Sequence, residues 1–274
     1  MSKQRLDLLL VEQGYAESRS QAQQLIRAGL VRLGDRVVDK PGMRLPGDSL
    51  LVLKERPRYV SRGGEKLAAA LEHFKLDVSG LVAADVGAST GGFTDCLLQH
   101  GANKVYAIDV GYGQLDWRLR YDIRVVVMER TNARYLESLP ERVDLATFDV
   151  AFISLRLVVP AALEWSNSDA QIVALIKPQF EAGRRDVGKG GVVRDSDVHR
   201  RVVADVVEAA SRLGLGLRGL MVSPLKGPSG NIEFLGWWQL GGESVDRETE
   251  IALAMEQSND LRPRSSQEVA AHPG

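Results

Sequence analysis

Cysteine is nearly absent from this chain, with one in 274 residues. A lone thiol excludes an internal disulfide framework and any multi-cysteine zinc site, and it fits a reducing, cytoplasmic setting. Long apolar runs are missing as well. No stretch approaches the ~20 residues that span a bilayer. The N-terminal run Leu8-Leu9-Leu10-Val11 is too short and too closely flanked by charge for a secretory signal. The four histidines, His73, His100, His199 and His272, show no metal-ligand spacing, so no metal is expected. Net charge is also close to nil, with 35 Lys+Arg against 36 Asp+Glu. At first sight that argues against a nucleic-acid partner. What remains is an ordinary globular composition, 44% hydrophobic and 26% charged. The length fits one large domain, or a medium one plus a small one.

The near-zero charge is an average over a gradient. Residues 1–60 hold 11 Lys+Arg and 7 Asp+Glu, whereas residues 241–274 hold 3 and 7. A basic front module and an acidic tail are therefore expected. In the front module Leu6, Leu9 and Leu10 share a helical face that ends at Gly14. Ser18 starts a second helix, with Gln21 three residues on as in a capping box. Ala22, Leu25 and Ile26 form its apolar stripe, and Arg19 and Arg27 fall off that stripe. After Gly29 the period changes to two, predicting a hairpin through Gly34-Asp35 and a further strand at 49–53.

Arg5-Leu6-Asp7, Gly14, Ser18-Arg19, Ala22, Leu25-Ile26, Gly29, Val31 and Val38 with Lys40-Pro41-Gly42 together resemble the S4 RNA-binding domain. The resemblance implies that Arg5, Arg19, Arg27 and Lys40 face RNA phosphates, reading shape more than sequence. Residues 1–56 are assigned to this module and 57–60 to a linker, where Pro57 turns Arg56 away from helix.

Residues 81–86, Leu-Val-Ala-Ala-Asp-Val, form a buried-strand run that leads into Gly87-Ala-Ser-Thr-Gly91-Gly92-Phe93 and then a helical stretch. Strand, glycine-rich turn and helix make the first unit of a doubly wound α/β sheet, which binds ligands at its strand carboxyl ends. The spacing G-x-x-x-G-G is not the G-x-G-x-x-G of dinucleotide enzymes, so a pyrophosphate is disfavoured. Asp85 is placed to face an ammonium. Asp109, 24 residues later at the next strand end, is placed to accept from ribose hydroxyls. The word DVGASTGGF with the later Ile-Asp is similar to motifs I and II of class I S-adenosylmethionine-dependent methyltransferases. That resemblance implies a Rossmann-like domain holding S-adenosylmethionine through Asp85, Gly87, Ser89, Thr90, Gly91, Gly92, Phe93 and Asp109. It adds a third strand-end contact at Asn132, where a helix-capping role is the alternative.

Four charged residues stand where strand ends and turns should converge: Lys66, Asp149, Lys177 and Glu233. Their order resembles the K-D-K-E tetrad of RNA 2′-O-ribose methyltransferases. The words SRGGEKL, FDVAFISL, LIKPQFE and GNIEFL are similar to the TlyA family, often called hemolysin A: an S4 domain followed by an FtsJ-like, RrmJ-type methyltransferase domain. The resemblance runs from about Arg5 to Leu240. It implies methylation of a ribose 2′-hydroxyl in rRNA, at a cytidine of 23S rRNA, with 16S rRNA as a second target. Lys177 would be the base, Lys66 the second cation, Glu233 would orient the hydroxyl with Lys66, and Asp149 would hold the lysine. Arg62 joins the RNA-facing set. A lysine can take a proton only when burial or a neighbouring cation keeps it neutral.

Base methylation fits less well. The fourth motif lacks the prolines of amine methyltransferases, and Cys96 lies on the helix after motif I, not where a C5 nucleophile would. A basic glycine-rich loop at 183–194 could close over phosphates. The methyltransferase domain is placed at 61–244, followed by an acidic, flexible tail at 245–274, with a short helix possible at 247–257. The expected protein is monomeric and bound to ribosomal RNA. A hemolysin-like membrane activity and a non-catalytic ribosome-associated scaffold are the alternatives. The first needs an amphipathic or spanning segment that the chain lacks.

Overall fold

The computed structural model describes residues 3–27, 29–53 and 57–261. The chain divides into two compact units, Met1–Arg58 and Tyr59–Gly274.

The first unit runs β1 (Lys3–Arg5), α1 (Leu6–Glu12), α2 (Arg19–Arg27), β2 (Val31–Leu33), β3 (Arg36–Val37), β4 (Arg44–Pro46) and β5 (Leu51–Leu53). Leu6, Leu9 and Leu10 of α1 meet Ala22, Leu25 and Ile26 of α2 and Val31 of β2 in one small core. The Ser18 hydroxyl accepts from the Gln21 amide at 3.2 Å, so the expected cap starts α2. Strand β2 is flanked by β3 and β5, both antiparallel. A second ladder pairs β1 with β4, which the sequence pattern did not reveal. Strands of three residues are too short to display an alternation.

The second unit begins with α3 (Arg62–Phe74), β6 (Val82–Val86), α4 (Gly92–Gln99), β7 (Lys104–Ile108), α5 (Trp117–Arg120), β8 (Val125–Met128) and β9 (Val143–Phe148). It continues with α6 (Leu155–Glu164), β10 (Ser166–Ile176), α7 (Pro178–Glu181), α8 (Ser196–Arg212), β11 (Leu215–Val222), β12 (Phe234–Leu240) and α9 (Arg247–Asp260). Seven strands form one sheet in the order β11-β12-β10-β9-β6-β7-β8. All neighbours from β10 to β8 are parallel, and β12 is antiparallel to both β10 and β11. Strand β6 lies between β7 and β9, so chain order reverses there. Such a switch point opens a crevice at the strand carboxyl ends. The central strands β6 and β9 are mostly apolar and almost wholly buried, as strands covered on both faces must be, with Asp85 and Thr147 the buried polar exceptions.

Two expected boundaries change. Tyr59 and Val60, assigned to the linker, belong to the second unit: Tyr59 is buried and the Val60 amide donates to Asp95 at 2.8 Å. The helix expected at 247–257 is α9, three residues longer, and it buries Ile251, Ala254 and Ser258, so that part of the expected flexible tail is packed. Residues 262–274 of that expected tail lie outside the described residues.

Candidate active site

The site starts from glycines. After β6 the chain turns at Gly87, where φ is +86° and an added Cβ would stand 2.8 Å from the Asp149 carbonyl oxygen. Only glycine fits both the left-handed backbone and that close approach. Gly92 begins α4 against the first turn of α3. A Cβ there would lie 2.8 Å from the Gly64 nitrogen. Gly91, also left-handed, packs against Leu115 and Leu119 rather than opening toward a ligand. It is a cap and packing residue.

Two adjoining hollows meet at Gly87, Ser89 and Asp149. The smaller, about 100 Å³, is lined by Ser61, Gly63, Asp85, Ser89, Thr90, Gly92 and Phe93. The larger, about 390 Å³, is lined by Asp109, Asn132 and Phe152 together with apolar walls from Ile108, Val110, Ala133 and Ile153. Asp85 is fully buried, and its Oδ2 accepts from the Thr94 amide at 2.9 Å and hydroxyl at 2.7 Å. Burial outweighs those bonds and pushes its carboxyl up to about 7. Asp109 accepts from the amides of Ser89 at 2.8 Å and Gly111 at 2.7 Å. Asn132 caps the 3₁₀ turn at Ala133–Tyr135 by accepting from the Arg134 amide at 3.1 Å, the alternative considered for it, and it also lines the larger hollow.

The four charged residues resolve into two ion pairs. Lys66 on α3 meets Glu233 at 2.6 Å, with both side chains buried. Lys177, which ends β10, meets Asp149, which ends β9, at 2.6 Å. Parallel strands in register carry their last residues to the same edge, which is why these two meet. The pairs are joined through neighbours. Gly63, one turn ahead of Lys66, faces the Asp149 carboxylate. Gln179, two residues past Lys177, donates from Nε2 to Glu233 Oε1 at 3.0 Å. Gly227 makes room for that carboxylate, since a Cβ would stand 2.5 Å from Glu233 Oε1.

The sequence reading missed Gln179, whose amide has no motif of its own. It also missed an aromatic pair. Phe152 is 91% exposed at φ +63°, and its ring lies 5.0 Å from that of Phe180. A bulky residue held in the left-handed region and left in solvent is a strained arrangement of the kind that gathers at functional sites. Lys177 Nζ lies 5.9 Å from the Phe180 ring centre, so the pair stands beside the charged cluster.

The expected RNA-facing residues Arg19, Arg27, Lys40 and Arg62 are exposed, and Arg5 is half-buried. Arg62 donates to the Lys226 carbonyl at 2.9 Å. In the loop at 183–194, Asn231 accepts from the Val193 amide and donates to the Gly191 carbonyl, each at 2.9 Å. Among the described residues, no cluster of three His, Cys, Asp or Glu side chains could hold a metal. No described helix is long and apolar enough to cross a membrane.

A doubly wound sheet with one inserted antiparallel strand, a glycine cradle at its switch point and a paired Lys-Asp-Lys-Glu set define a methyltransferase. The chain belongs to the FtsJ-like methyltransferase family, whose model matches residues 59–240, and it carries an S4 domain at residues 4–50. It is 49% identical over 237 residues to the 16S/23S rRNA (cytidine-2′-O)-methyltransferase TlyA of Mycobacterium tuberculosis, covering 85% of this chain and 88% of that protein. It is 41% identical to Hemolysin A of Brachyspira hyodysenteriae, covering 84% and 98% of the two chains. The solved structure of a hemolysin from Streptococcus thermophilus superposes with a TM-score of 0.73 at 44% identity, covering 95% of this chain and 97% of that one.

Proposed function

We propose that this protein methylates the 2′-hydroxyl of a cytidine in rRNA, with S-adenosylmethionine as donor, as a cytoplasmic monomer. The observation that carries the reading is the pair of ion pairs, Lys66–Glu233 and Lys177–Asp149, at the edge of the glycine-cradled cleft. The names of the relatives support the rRNA substrate.

The cleft fits the donor. Its glycine cradle would be filled by any Cβ at Gly87, its walls are apolar enough for an adenine, and Asp109 and Asn132 stand where ribose hydroxyls need acceptors. Asp85, Ser89, Thr90, Gly92 and Phe93 would surround the amino-acid end. When bound, the donor supplies an electrophilic methyl on a sulfonium. The chain's own residues do the rest. Lys177 first passes its own proton to Asp149, whose Oδ1 lies 2.6 Å away, and the neutral Nζ, held in place by that carboxyl, then takes the proton from the ribose hydroxyl. Lys66 and Glu233, fixed by Gln179, orient the hydroxyl for in-line attack, a contribution of position rather than of new bonds. Phe152 and Phe180 offer a stacking platform for the nucleobase once it leaves its own stack.

Transfer of a radiolabelled methyl group to ribosomal subunits, followed by mass-spectrometric mapping, tests this reading. Label on a ribose of cytidine is expected. Label on a base, or none at all, overturns it, and the second outcome is what a scaffold or a lytic protein would give.

A further inference from the structure

Among the described residues of the first unit, one charged side chain is completely buried. Asp7, in the first turn of α1, is 0% exposed. Its oxygens are fully engaged. Oδ1 accepts from Arg5 Nε at 3.0 Å, and Oδ2 accepts from Arg5 Nη2, Arg19 Nε and Gln23 Nε2, each at 2.9 Å. One acid thus gathers two guanidinium groups from different elements. Both stay open to solvent, with side chains 38% and 53% exposed. Arg5 retains three N–H donors and Arg19 four. Beside Arg5 stands Gly42, exposed, where an added Cβ would lie 3.4 Å from Nη1. The loop carrying Gly42 is fastened to α1, since Leu6 donates to the Met43 carbonyl at 2.8 Å and Asp7 to the Pro41 carbonyl at 3.1 Å.

We infer that Asp7 is a positioning residue for RNA: its buried carboxylate holds Arg5 and Arg19 as a fixed fork, left uncovered by Gly42, that takes a phosphate of the substrate backbone. The inference rests on the RNA reading above. Long basic side chains lose rotamer freedom when they grip a phosphate, and here that loss is taken on folding rather than on binding. Guanidinium planes held by a carboxylate present their remaining donors in a rigid geometry that lysines cannot reproduce. The Arg5 hydrogen bond, assisted by Arg19 and Gln23, keeps the Asp7 carboxyl well below the usual carboxylate range, so it stays charged at neutral pH.

The inference is separable from simple attraction because the two differ in sign. A carboxylate near a phosphate is a Coulombic liability, so charge alone predicts that removing it tightens RNA binding. Binding of the full-length protein to a fluorescent 23S rRNA transcript decides between them. Asp7→Asn is expected to bind about tenfold more weakly, with a raised KM for RNA and unchanged kcat and S-adenosylmethionine affinity, despite a gain in positive charge. Equal or tighter binding overturns the inference. Arg5→Lys/Arg19→Lys keeps the charge and removes the fork. It should weaken binding similarly while leaving the salt dependence as it was, and wild-type affinity would overturn the inference. Gly42→Val leaves the Asp7 bonds intact and covers the Arg5 end, so its affinity must also fall even if Asp7→Asn fails to fold. A wild-type protein that binds no RNA would sink the underlying RNA reading instead.

Discussion

Lys177 and Asp149 meet end to end across two neighbouring parallel strands, with Nζ 2.6 Å from Oδ1 and 3.4 Å from the Asp149 carbonyl. Asp149 also borders both hollows of the cleft, so the same residue meets the lysine and lines the cleft. Replacing Lys177 with alanine is therefore expected to lower methyl transfer by about 10²–10⁴-fold, the usual worth of a positioned base. Asp149 is partly solvated and tolerates the loss, so S-adenosylmethionine binding should persist by calorimetry. Retained activity in protein purified from a strain lacking its own copy would remove Lys177 from the role of base.

The Lys66–Glu233 pair is a buried ion pair and behaves as one. Lys66→Met leaves Glu233 charged and buried beside Gln179 alone, and should cost about 3–5 kcal/mol in urea unfolding. The double variant Lys66→Met/Glu233→Leu replaces the pair with apolar volume and should recover much of that loss. Neither variant should transfer methyl groups. A stable single variant, within about 1 kcal/mol of wild type, would mean that the pair is not held as the structure shows.

Asp85 makes stability depend on pH. Its folded carboxyl sits at about 7, raised chiefly by burial, against about 3.9 in an unfolded chain. The native state binds the extra proton between those values, so the contribution of Asp85 to stability falls as pH rises from about 4 to 7. Thermal melts of the unliganded protein across that window should show the slope, and Asp85→Asn should flatten it. An ammonium beside Asp85 favours the ionised form. Donor binding near pH 6 should then release a proton, measurable by calorimetry in buffers of different ionisation enthalpy.

Gly92 sets the distance between the donor turn and the helix carrying Lys66. A Cβ there meets backbone, 2.8 Å from the Gly64 nitrogen and 3.1 Å from the Gly63 Cα. Gly92→Ala must push the first turn of α3 outward. Misplacement of a catalytic group by about 1 Å can cost 10²-fold in rate, so kcat should fall at least tenfold while circular dichroism stays native. An unchanged kcat would show that Lys66 is not where the reaction needs it.

Much of this protein was legible in local pattern. The glycine turn after β6, the apolar strands and the charges at their ends are each written in a few adjacent residues, and parallel sheets place strand ends at one edge by rule. The S4-like helices read correctly because Leu6, Leu9, Leu10, Ala22, Leu25 and Ile26 repeat at helical spacing. The helix expected at 247–257 is present as α9, but its docking on the core through Ile251, Ala254 and Ser258 was not legible, because the apolar Ala252 and Leu253 beside them face solvent.

The pairings belong to the tertiary structure. Nothing local couples Lys66 to Glu233, 167 residues away, rather than to Asp149, or brings Gln179 onto the same carboxylate. Likewise, Arg5 and Arg19 read as two independent RNA contacts until Asp7 is seen to hold both. Composition and periodicity follow from burial, which each residue reports for itself. A pairing depends on which charges the folded chain brings together after desolvating them, and that is a property of no single segment.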